Sequence, residues 1–402
     1  MKKVLFASTA LVALTGAASA DVTLSGFAEM GIFDPGGFVV VDAVTAGGTT
    51  VVTGGSISEA ETDIGFFTDI GVTFTLSGET DNGLVFGASI GLEEAQDGIA
   101  NDVEDDFSVF LSGAFGTLTM GDTDGALDWA LTEVAFAAGA IADDHTEHAG
   151  YNGNSGLDGL YDGQIVRYDY SFGNFGFAIS AELNDSQDTF ATATTGDGFF
   201  SPRDNDDVFG IGFKYDTSFG GTDLAFGLGY QMASIYFDDD SDSGPNAAQD
   251  IDVDALGASV TATFANGFTA GLSYVTYENH LPVQGANVAA FAGGDLPSAG
   301  VVGGRFLTPG EDTDHIGVGI GYSFGAFSVG VNYGQYDHDA GVEIEGYGIA
   351  ANYDLGGGAI IQAGYGHSDI SIPDLDGDPL DTTFDADSAD ADRFSLGVRM
   401  NF

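Results

Sequence analysis

Carboxylates are the chemistry this chain offers in quantity: 62 Asp and Glu stand against 8 Lys and Arg in 402 residues, a formal net charge of −54. Two runs concentrate them, Asp238-Asp-Asp-Ser-Asp242 and Asp374-Leu-Asp-Gly-Asp-Pro-Leu-Asp381. Oxygen donors at that density can ligate a hard cation, which makes Asp238, Asp239, Asp240, Asp374, Asp376 and Asp378 candidate calcium ligands. Neither run has the spacing or the terminal Glu of an EF-hand loop, and a solvated loop tip accounts for each run taken alone. The charge total sets the expectation of structural calcium held collectively, with no cofactor required. His145 and His148 could share one helical turn and bind a transition metal, though a single pair three apart is a weak signal. A hydrolytic triad needs Ser, His and an orienting acid on one face, and here Ser and His are scattered over separate segments, so no enzyme is expected. Cysteine is absent, which excludes disulfides and thiol chemistry. So acidic a chain is a poor partner for nucleic acid and a good one for cations.

The frame that must position these groups shows in a period of two. Hydrophobic residues make up 44% and aromatics 12% of the chain, too much for a disordered acidic segment, and 63 Gly with 8 Pro suit strands joined by turns. Phe394, Leu396, Val398, Met400 and Phe402 alternate with Arg393, Ser395, Gly397, Arg399 and Asn401. Ile70 to Leu76, Leu84 to Leu92, Phe209 to Tyr215, Leu256 to Phe264, Ile316 to Tyr322 and Phe327 to Tyr333 repeat the pattern, about sixteen times in all. Short turns carrying Gly, Asn and Asp, such as Phe172-Gly-Asn-Phe175 and Phe324-Gly-Ala-Phe327, alternate with long acidic connections at 34–61, 95–105, 122–163, 185–206, 237–251, 280–313 and 369–391. That layout predicts an all-β fold, a sixteen-stranded antiparallel transmembrane β-barrel with its long loops outside the cell. Phe172, Phe175, Phe219, Phe324 and Phe327 stand beside the short turns, where an interfacial girdle belongs.

Residues 1–20 read as a cleaved secretion signal: Lys2 and Lys3, an apolar run from Val4 to Ala17, then Ala18-Ser19-Ala20. The barrel is then 21–402. Cleavage would remove two basic residues and no acidic one, moving the formal charge from −54 to −56. On the second face of the strands lie Gly87, Ser89, Gly91, Gly227, Gly229, Gln231, Gly317, Gly319, Gly321, Gly330 and Asn332, small and polar. Such a face predicts a watery lumen without a packed core. By strand parity Arg167, Lys214, Arg393 and Arg399 face that lumen, Lys214 and Arg399 toward the periplasmic mouth, while Arg203 and Arg305 fall on loops. A lumen so poor in basic residues predicts a preference for cations.

Several stretches resemble a known family. Phe110-Leu-Ser-Gly-Ala-Phe-Gly116 leading into Thr119-Met-Gly-Asp122, the turn Asp81-Asn-Gly-Leu84, Tyr353-Asp-Leu-Gly-Gly-Gly358 and the start Val22-Thr-Leu-Ser-Gly26 are similar to general diffusion porins of alphaproteobacteria. The resemblance implies an outer-membrane homotrimer among lipid and lipopolysaccharide, passing small hydrophilic solutes and ions, with calcium among its acidic loops. It also implies that the third long loop folds inward as a constriction. The matching stretch is Asp122 to Gly163, which carries Asp128, Glu133, Asp143, Asp144 and Glu147, with Asp158, Trp129 and Phe136. In the family such acids face basic residues on the wall. Arg167, Lys214, Arg393 and Arg399 are what this chain retains, Arg167 being the best candidate, and a full arginine ladder is missing. The alternatives are a solute-specific channel or a plugged barrel acting as an anchor or adhesin. A secreted calcium-binding β-roll would need repeated Gly-Gly-x-Gly-x-Asp nonapeptides, and Gly356-Gly-Gly358 does not repeat.

Overall fold

The computed structural model describes residues 21–41, 44–46, 49–51, 56–59, 62–93, 104–141, 148–161, 163–184, 199–200, 207–238, 249–282, 300–302, 305–307, 310–372 and 387–402. The candidate leader at 1–20 lies outside them. Sixteen long strands carry the fold. The first eight are β1 (Asp21–Asp34), β2 (Gly65–Glu79), β3 (Val85–Glu93), β4 (Glu104–Gly113), β5 (Gly116–Asp122), β6 (Gln164–Phe172), β7 (Phe175–Glu182) and β8 (Val208–Phe219). The second eight are β9 (Thr222–Asp238), β10 (Gln249–Phe264), β11 (Phe268–Glu278), β12 (Thr313–Phe324), β13 (Phe327–His338), β14 (Glu343–Gly356), β15 (Ala359–Ile372) and β16 (Asp387–Asn401). Each pairs antiparallel with the next. β1 closes the ring, matching β2 from Asp21↔Ser77 to Phe33↔Gly65 and β16 from Phe27↔Asn401 to Asp34↔Phe394. Seventeen strands share this sheet, the extra one being the two-residue Phe199–Phe200 laid against the end of β9.

Closure explains why the greasy residues can point outward. Because the sixteen-stranded sheet closes on itself, neighbouring strands pair within the wall and their side chains are free to face lipid. In β12 the odd positions Thr313 to Gly321 are buried, while Ile316, Val318, Ile320 and Tyr322 face out, Ile320 at 48% exposure. The short turns are tight. Gly220 and Gly221, between β8 and β9, take φ of +62° and +86°, the left-handed pair a two-residue hairpin requires. Phe172 stacks on Phe175 at 5.7 Å and Phe324 on Phe327 at 5.6 Å beside these turns, forming the expected girdle. Hairpins of their own occupy parts of the long connections, Phe38–Val41 with Ser56–Glu59 and Val44–Ala46 with Thr49–Val51. Among the described residues no helix is long and apolar enough to cross a membrane.

The lumen is not empty, which corrects the expectation of a barrel without a packed core. Leu127, Leu131, Leu157 and Leu160, all inside the barrel, form one buried cluster with Val208, Ile235, Ile251, Val253, Val275, Tyr277, Tyr336, Ile344 and Ile370 of the wall. The wall residues sit toward the long-loop ends of β8–β15. There the alternation changes partners: in β10, Ile251, Val253 and Ala255 are buried inward, while Asp252 faces out.

Candidate functional site: the third loop and its wall

The connection between β5 and β6 turns into the barrel and lies along the inner face of β7–β16. Among its described residues is one helix, α1 (Ala126–Ala130), which packs against β7, β8 and β9. The glycines of the wall make this possible. A Cβ at Gly212 would strike the carbonyl of Ala126, one at Gly319 the carbonyl of Val134, and one at Gly334 the carbonyl of Gly150. Farther on, Ile141 reaches Gly31 of β1 and Gly397 of β16. So the small residues on the second face are the bed of the loop across half the barrel, and open wall is left chiefly on β1–β6, where Ser25, Thr73, Thr75, Ser89, Ser108 and Thr119 remain half-buried.

Inward polar side chains tie the loop down. The Ala126 amide donates to Ser180 Oγ at 2.9 Å, Thr132 to Ser259 Oγ at 2.9 Å and Ala149 to Ser368 Oγ at 2.9 Å. Glu182 accepts three amides of the return limb, Gly159 at 3.1 Å, Tyr161 at 3.0 Å and Gly163 at 2.9 Å. His148 bonds Asn332 Oδ1 at 2.8 Å, and His315 Nε2 donates to the Gly150 carbonyl at 3.0 Å. His148 is thus engaged with the wall, and its proposed metal partner His145 lies outside the described residues.

Between α1 and the open wall is a recess of about 490 Å³ lined by Asp122, Asp124, Asp128 and Asp158, with Ser89, Ser108 and Ser155 among its hydroxyls. Burial pushes the Asp128 carboxyl up to about 8; the carboxylates of Asp124, Asp158 and Glu133 add to this and Arg167 opposes it. Glu133 is exposed and accepts a hydrogen bond from the Tyr151 hydroxyl. Asp143, Asp144 and Glu147, expected in the same loop, lie outside the described residues.

The four lumenal basic residues do not form a facing cluster. Arg167 on β6 belongs to the root of the loop: Nη1 donates to the Asp124 carbonyl at 2.5 Å and lies 3.8 Å from the Asp124 carboxylate, and Nε is 3.6 Å from Asp169. Lys214, expected toward the mouth, lies mid-strand on β8 beneath the helix, its Nζ 4.3 Å over the Trp129 ring. Arg399 on β16 donates to Glu29 Oε1 at 2.9 Å and sits 4.3 Å over the Phe27 ring. Arg393 is half-buried on the same strand. Strand parity alone assigns all four to the inner face. It could not find Asp124, Glu29 or Glu182, because their partners are set by the path of the loop and by strand register.

Of the calcium candidates only Asp238, the last residue of β9, is described; Asp239, Asp240, Asp374, Asp376 and Asp378 lie outside. Among the described residues no group of three or more His, Cys, Asp or Glu is placed to hold a metal ion.

A family model for Gram-negative porins matches residues 7–372. A porin of Rhodobacter capsulatus is 29% identical over 316 residues, covering 76% of this chain and 88% of that protein. Among solved structures, a refined porin superposes with a TM-score of 0.55 at 24% identity, over 95% of this chain and 100% of its own, a likeness of fold. A variant of the Rh. blastica porin gives a TM-score of 0.48 at 19% identity, over 95% and 100%.

Proposed function

The chain belongs to the Gram-negative porin family, and from that premise, an outer-membrane channel, we propose a trimer that prefers cations and passes small hydrophilic solutes by diffusion. The observation that carries the preference is the recess beside α1, where four carboxylates stand near one guanidinium that is already bound to the loop root. In water-like dielectric a cation about 8 Å from one unit charge gains about 0.5 kcal/mol. With the Asp128 carboxyl largely neutral at pH 7, the excess is about two charges, which would enrich cations about fivefold before screening, and salt at physiological strength cuts that energy by a factor of about e.

Two features of the outer face support the partners. Toward the long-loop ends of β9–β16, tyrosine hydroxyls meet carboxylates: Tyr230 with Asp254 at 2.9 Å, Tyr274 with Asp314 at 2.7 Å and Tyr365 with Asp392 at 2.7 Å. Such a belt suits an anionic lipopolysaccharide leaflet bridged by divalent cations, and calcium among the acidic loops would serve the same end. The outer face of β1 and β2 instead carries apolar residues up to Phe66, which is 98% exposed; this arc suits the neighbouring protomer. The leader at 1–20 would be removed on export. Single-channel recording in a planar bilayer tests the assembly. Conductance arriving in steps of three supports the trimer, and solitary steps contradict it.

A further inference from the structure

We propose that Glu182 on β7 is a positioning residue for permeation: its carboxylate gathers three backbone amides of the third loop's return limb and so fixes one wall of the constriction. The inference rests on the channel and its inward loop and is independent of the ion preference. Glu182 is 2% exposed. Its Oε1 accepts the amides of Tyr161 at 3.0 Å and Gly163 at 2.9 Å, and its Oε2 accepts that of Gly159 at 3.1 Å. Two residues back on the same inner face, Ser180 Oγ accepts the Ala126 amide at the start of α1. One strand therefore holds the outgoing and the returning limb together, and the spacing between them follows from its own repeat.

The return limb is shaped to reach that carboxylate. Gly159 and Gly163 take φ of +72° and +76°, and a Cβ at either would meet nothing within 4 Å. Glycine serves the left-handed backbone there, not a lack of room, and that backbone brings alternate amides to one carboxylate. Leu157 and Leu160 anchor the limb in the lumenal core, while Asp158, Gly159 and Gly163 line the recess beside α1. Three converging N–H groups call for a carboxylate, whose oxygens offer about four acceptor sites. A side-chain amide has a single acceptor oxygen, and its nitrogen only donates. Glutamine, though the same size, would set its NH₂ group against a backbone N–H, and a buried donor left without an acceptor is costly. The limb would then leave its seat beside the recess.

The test is single-channel recording of the intact protein in a planar bilayer, with heat-dependent gel mobility as the measure of barrel integrity. Glu182→Gln should give a folded barrel whose open current flickers. Brief steps away from the open level should become about tenfold more frequent, the change expected for losing one hydrogen bond to a charged acceptor. Wild-type flicker in a folded Glu182→Gln channel overturns the proposal, whatever else changes. A shift in gel mobility alone would make Glu182 a support of the barrel, and a shift in reversal potential alone would make it a charge acting through the field. If Glu182→Gln does not fold, Glu182→Asp keeps the charge and draws the carboxylate back by one methylene from the amides. It should flicker in the same way, and a folded Glu182→Asp channel as steady as the wild type also overturns the proposal.

Discussion

Asp128 shows what the constriction does to a single group. Its carboxyl is pushed up to about 8 by burial first and by neighbouring carboxylates second, so it is largely neutral below pH 7 and charged above pH 9. Cation selectivity should therefore rise as pH goes from 6 to 9, and Asp128→Asn should flatten that rise; reversal potentials across the range check both. Arg167 acts in the opposite sense. Arg167→Glu exchanges the guanidinium between Asp124 and Asp169 for a further carboxylate, a change of two charges, and should raise the permeability ratio several-fold at low salt. An unchanged ratio would place Arg167 away from the ion path. That Arg167 faces inward was legible from alternation alone. That it is bound to the loop root was not, because the Asp124 carbonyl comes to it only through the path of the loop.

At the scale of elements, the third loop and the glycine-rich wall form one packed unit. Gly212→Leu would place a side chain where α1 lies, since even a Cβ there meets the Ala126 carbonyl. The loop can give way only toward the lumen, so conductance should fall in a barrel that still folds, as checked by single-channel amplitude beside the heat-dependent gel mobility of the folded form. Sequence pattern gave the strands, the short turns and the identity of the inward loop. It misjudged the inner face because a run such as Gly227, Gly229 and Gln231 shows only that nothing large projects, and the space can be filled by water or by another segment. A signal was present in β10, where Ile251, Val253 and Ala255 are apolar on the face opposite Leu256, Ala258 and Val260. Two apolar faces in one strand mean that something covers the inner one.

The whole molecule is a barrel sorted by radius: apolar side chains toward lipid, a carboxylate-rich recess toward the ion path, and a small apolar core that holds the constriction between them. If divalent cations offset the outward carboxylates of β9–β16 and the acidic loops, a chelator should lower the temperature at which the proposed trimer dissociates, and added calcium should restore it; a dissociation temperature indifferent to both would remove calcium from the account. The central claim, a water-filled channel whose field favours cations, is tested most directly by the reversal potential of the wild-type protein in a planar bilayer under a KCl gradient. The account predicts a cation-selective potential that strengthens as ionic strength falls and the Debye length grows. A potential of zero or of the anion sign at low salt would contradict it.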